Sequence, residues 1–76
     1  MVNVDALKKR MEEKSVSYED LSKLLNVPLW KARRFILGSL DMDVVQAETI
    51  QNALEIKDPD FGYYFFDPRY SLRGIV

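Results

Sequence analysis

A chain of 76 residues without cysteine or histidine has room for one domain and lacks thiolate, imidazole, disulfide and zinc–sulfur chemistry. Neither catalysis nor a metal or other cofactor is therefore expected. At 47 % hydrophobic and 30 % charged, with no apolar run near the roughly 20 residues of a membrane span and no hydrophobic leader, it reads as a soluble cytoplasmic domain. A net charge of −1 argues at first sight against a nucleic-acid partner.

Val4, Leu7 and Met11 recur at three- and four-residue steps between Lys8, Lys9, Glu12 and Glu13, which predicts an amphipathic first helix. Ser15-Val16-Ser17 breaks it. Ser17 has the chemistry of an N-cap, with Asp20 placed to complete a capping box and Glu19 and Asp20 in the first turn, where the helix dipole favours acids. Tyr18, Leu21, Leu24 and Leu25 line one side of this short second helix, and Asn26, tolerant of left-handed backbone, ends it. Pro28 stands at or beside the start of a third helix, Leu29 to about Leu37, with Gly38 as its left-handed stop.

Asp43 and Gln46 predict a second capping box. The fourth helix that it opens has an apolar stripe of Val44, Ala47, Ile50 and Leu54, with Ala53 and Ile56 alongside. Asp58-Pro59 then begins either a short fifth helix through Phe61-Gly62-Tyr63-Tyr64-Phe65-Phe66 with an extended arm, or a hairpin turning at Asp67-Pro68-Arg69. Gly62 and the consecutive aromatics weigh against the helix, the Asp-Pro start weighs for it, and the helix is preferred. The expectation is an all-α, compact four- to five-helix domain over residues 1–66 and a C-terminal arm over 67–76.

The net charge hides a division. Residues 28–40 carry Lys31, Arg33 and Arg34 and no acid, a charge of +3. Residues 41–68 set Lys57 against Asp41, Asp43, Glu48, Glu55, Asp58, Asp60 and Asp67, a charge of −6. The pairs Asp41/Asp43 and Asp58/Asp60 lack the rest of a calcium loop and are explained by helix capping, so no metal is expected there.

Two short helices joined by Asn26-Val27-Pro28 form a helix-turn-helix pattern over residues 17–38. Stepping the second helix at about 100° per residue puts Ala32, Phe35 and Ile36 inside. Trp30, Arg33, Arg34 and Leu37 fall on the outer face, flanked by Leu29 and Lys31. Arg33 and Arg34 have the donors to read guanine or hold phosphates, and Lys31 suits a phosphate. The Tyr18 hydroxyl suits a phosphate, while its ring suits packing between helices. Trp30 fits a sugar or thymine methyl, a protein-binding anchor, or a ring folded back on the core edge.

Leu7-Lys8-Lys9-Arg10-Met11, Ser17-Tyr18-Glu19-Asp20-Leu21, Leu24-Leu25-Asn26-Val27-Pro28, Ala32, Phe35 and Gly38 together resemble the Cro/lambda-repressor, or XRE-like, helix-turn-helix family. Val44 to Ile56 is similar to that family's fourth helix, so the resemblance covers roughly residues 4–58. It implies an all-helical fold and a dimer that binds operator duplex DNA and regulates transcription in a phage or mobile element. DNA contacts would come from Ser17, Tyr18, Leu29, Trp30, Lys31, Arg33 and Arg34. A dimer or partner interface would come from Phe61, Tyr63, Tyr64, Phe65, Phe66 and Tyr70.

The sequence also departs from the family. Tyr18 stands where Gln is usual, Leu29-Trp30 where the recognition helix usually starts polar, Asn26 at the turn glycine, and Asp41 and Asp43 in a loop that is often basic. The Leu29-Trp30 pair and the surface acidity of the fourth helix favour a rival reading, a helix-turn-helix fold that binds another regulator through Trp30, Leu37 and the aromatic tail. No effector domain accompanies the motif, so no small-molecule effector is expected.

Overall fold

A computed structural model describes residues 2–66 as five α-helices, with no strand among the described residues. They are α1 (Val4–Lys14), α2 (Tyr18–Leu25), α3 (Leu29–Ile36), α4 (Val44–Ala53) and α5 (Phe61–Phe65). A 3₁₀ turn, Asp58–Asp60, leads into α5. The all-α expectation is met, and the aromatic run is helical rather than one arm of a hairpin. Phe61 and Phe65 lie one helical turn apart with ring centroids 4.5 Å from each other. The turn at 67–69 and Tyr70 lie outside the described residues.

Helix starts follow the polar residues that can accept a free backbone N–H. Asn3 Oδ1 accepts from the Ala6 N–H at 3.2 Å. Ser17 and Asp20 form a reciprocal capping box at 3.1 and 2.9 Å, and Asp43 and Gln46 form another at 2.7 and 3.0 Å. Only α3 among the first four helices opens without a side-chain cap, on Pro28.

Helix ends share one device. Ser15, Asn26, Gly38 and Glu55 have φ of 55°, 56°, 77° and 54°. The residue after each donates its N–H five residues back: Val16 to Met11, Val27 to Ser22, Ser39 to Arg34 and Ile56 to Gln51, all between 2.9 and 3.1 Å. Four helices thus close with the same left-handed stop. Helix α3 ends at Ile36, one residue before the expected boundary.

The core is built from every helix: Leu7 and Met11 of α1, Leu21 of α2, Ala32, Phe35 and Ile36 of α3, Ala47 and Ile50 of α4, and Phe65 of α5. Leu54 and Ile56 close it below α4. Two stripe residues are left exposed instead. Leu24 is 57 % exposed, because at 100° per residue it falls about 90° from the centre of the stripe that Tyr18, Leu21 and Leu25 define. Val44 is 70 % exposed; it is the first residue of α4 and sits on the rim of a cleft.

Gln51 takes a buried place instead. Its Nε2 donates to the Ile56 carbonyl at 3.1 Å and to Asp58 Oδ1 at 2.9 Å, tying the end of α4 to the 3₁₀ turn. Arg10 of α1 donates to the Leu54 and Glu55 carbonyls, both at 2.9 Å, and so satisfies the C-terminal end of α4. No described helix is long and apolar enough to cross a membrane.

Candidate nucleic-acid interface

The turn between α2 and α3 is fixed from both sides. Asn26 supplies the left-handed residue, the Ser22 hydroxyl donates to the Val27 carbonyl at 2.6 Å, and Val27 packs on the core. Ala32, fully buried, keeps the inner side of α3 small where it meets its neighbours. With Ala32, Phe35 and Ile36 inside, the opposite side of α3 must face outward.

The outward residues are those expected. Arg33 and Arg34 are exposed. Leu29, Trp30 and Leu37 are 42, 56 and 45 % exposed, so Trp30 does not fold back onto the core edge. Lys31 is half-buried on the flank. Among the described residues the ion pairs are Arg10–Glu13 at 3.4 Å and Lys14–Glu55 at 3.5 Å, which leaves the three cations of α3 without a carboxylate partner there.

Instead, aromatic rings hold both guanidinium groups. The Arg33 Cζ lies 5.8 Å from the centroid of Tyr18, and the Arg34 Cζ lies 5.6 Å from that of Trp30, within cation–π range. Trp30 and Arg34 are four apart on one helix, so that contact was available from spacing alone. The Tyr18–Arg33 contact crosses from α2 to α3, and no sequence interval announces it. Tyr18 is half-buried against the core, which is its packing role.

Ser17 is less free than a phosphate ligand should be. Its backbone N–H and its Oγ both belong to the capping box. Asp20, at the same end of α2, has its carboxyl held below the ordinary 3.8 by the Ser17 backbone N–H and then by the Ser17 hydroxyl. A negative charge therefore sits where a phosphate would otherwise approach the α2 terminus.

The aromatic C-terminal residues divide. Phe65 is buried and serves the core, so it is removed from the expected interface. Phe61 and Tyr64 are half-buried against that core, and Tyr64 accepts from the Asn3 N–H through its carbonyl at 2.8 Å. Tyr63 and Phe66 remain outside, 61 and 58 % exposed. Phe66, Phe61, Val44, Met42 and Val2 line an apolar cleft of about 200 Å³ edged by Asp41 and Asp43. Its parts come from distant stretches of chain, which is why the sequence did not disclose it.

Compared with known proteins, the chain matches no family model, no curated protein and no solved structure.

Proposed function

We propose that the protein is a transcriptional regulator of the Cro/lambda-repressor type that binds operator duplex DNA. It would act as a homodimer in the cytoplasm of a cell carrying a phage or mobile element. Helix α3 enters the major groove; Arg33 and Arg34 contact bases or phosphates, and Lys31 holds the backbone on its flank. Two subunits meet through Tyr63 and Phe66, which the monomer leaves uncovered. One observation carries this reading: a helix presented by a two-helix turn, with two exposed arginines and no carboxylate partner among the described residues.

The test is a titration of duplex DNA at several salt concentrations. Wild type should lose affinity as salt rises, with log K falling by about 0.9 per phosphate contacted for each unit of log salt. Arg33→Ala/Arg34→Ala should flatten that slope by up to about 1.8 if both arginines hold phosphates. Absence of wild-type binding to any duplex at about 50 mM salt, where phosphate attraction is strong, rejects the proposal.

The rival reading, a module that binds another regulator through the same face, is favoured by the exposure of Leu29, Trp30 and Leu37 around the arginines. Apolar side chains of this size suit the centre of a protein interface. Salt-insensitive capture of a protein in place of DNA would support it.

A further inference from the structure

The two exposed arginines of α3 share an arrangement that charge alone does not require. Each guanidinium lies over an aromatic face, Arg33 at 5.8 Å from Tyr18 and Arg34 at 5.6 Å from Trp30. The two rings come from different places: Tyr18 opens α2 and Trp30 lies one turn before Arg34 on α3. An exposed arginine samples many rotamers and gives up that freedom when it docks. A ring beneath the guanidinium removes part of that cost in advance without neutralising the charge, as a carboxylate would.

Resting on the DNA-binding reading above, we propose that Tyr18 and Trp30 are positioning residues. They act on DNA through Arg33 and Arg34, and they serve base readout rather than phosphate attraction. The distinction is physical. Attraction to phosphate depends on the number of positive charges and tolerates a mobile side chain. A bidentate contact to guanine needs the planar fork in one orientation. This also accounts for two departures from the family pattern at once, since an aromatic at each of these positions supplies a platform where a polar side chain would supply its own contact.

The experiment uses the whole chain and two probes: the tightest-binding duplex recovered from a random-sequence pool, and a scrambled duplex of the same composition. Trp30→Leu removes the ring from an exposed position, and Tyr18→Leu keeps an apolar side chain at the half-buried one. Each should cut the ratio of selected to scrambled affinity by roughly tenfold, the value of one well-oriented base contact, while affinity for the scrambled duplex and its salt slope stay unchanged. Tyr18→Phe and Trp30→Phe keep a ring and should restore the ratio.

Several outcomes overturn the proposal. An equal loss of affinity for both duplexes in Tyr18→Phe would make the hydroxyl a phosphate ligand instead. Equal losses on both duplexes in Trp30→Leu, which cannot be blamed on the core, would make Trp30 a direct, sequence-independent contact. An unchanged ratio in both Leu variants rejects positioning while leaving DNA binding intact. Failure of wild type to bind any duplex rejects the underlying reading instead.

Discussion

Glu55 is the least suited of the four residues that end helices in left-handed backbone. At φ 54° its Cβ crowds the chain, which costs an L-residue about 1–2 kcal/mol. Its side chain returns little, since the pair with Lys14 spans 3.5 Å and the Glu55 side chain is 71 % exposed, where such pairs contribute a few tenths of a kcal/mol. Glycine would remove the strain while losing about 0.5–1 kcal/mol to chain entropy. Glu55→Gly should therefore stabilise the fold by about 0.5 kcal/mol and raise Tm by about 2–4 °C. A thermal melt showing a lower Tm would mean that the Lys14 contact outweighs the strain. At this scale the sequence was legible where residue type matches conformation, at Asn26 and Gly38. It was silent at Ser15 and Glu55, where the surrounding helix ends impose a conformation that the residues do not prefer. Arg10 is similar: its place in the first helix is plain, but its bonds to the Leu54 and Glu55 carbonyls join residues more than forty apart.

Helix α2 shows how much an element's stability can depend on its first turn. It has only eight residues, well short of what a free helix needs, and its capping box gives the Asp20 N–H an acceptor at the end opposite the turn into α3. Because Asp20 titrates below its ordinary 3.8 in the folded chain, its contribution is fully present above that value and disappears as pH falls through the depressed folded one. Asp20→Asn should remove that dependence. In wild type, stability should fall on the acid side of pH 3.8, and the variant's curve should be flatter there. A proton-detected titration of Asp20 with a midpoint at or above the ordinary value would contradict the assignment. All four principal helices and both capping boxes could be read from spacing, since local chemistry decides where a helix starts. What spacing overstated was the apolar stripe, which counted Leu24 and Val44 as core and passed over Gln51, a polar residue buried because two acceptors wait for it.

For the whole molecule, the division of charge sets two associations against each other. In the proposed complex the cations of α3 meet a polyanion, so added salt should weaken DNA binding. The opposite holds for the proposed dimer. The exposed Phe66 lines the cleft edged by Asp41 and Asp43, and a two-fold contact there brings each acidic edge toward its own copy. Like charges held within about 10 Å repel at 0.1 M salt and are screened well above it. Self-association should therefore tighten as salt rises from about 0.05 to 0.5 M, over which the screening length falls from beyond 10 Å to a few ångströms. Phe66→Ser, which removes an exposed ring from the rim without touching the core, should weaken the dimer by roughly tenfold or more, about 1.5–3 kcal/mol per large apolar side chain uncovered. Sedimentation across this salt range reads both effects. A chain that stays monomeric at high micromolar concentration in every salt places the contact elsewhere, and a dimer that loosens with salt shows that ion pairs, not the aromatic rim, hold it. Because the proposed dimer and the proposed DNA complex respond to salt in opposite directions, operator occupancy should peak at an intermediate salt concentration, which Phe66→Ser moves upward because the weakened dimer needs more screening to form.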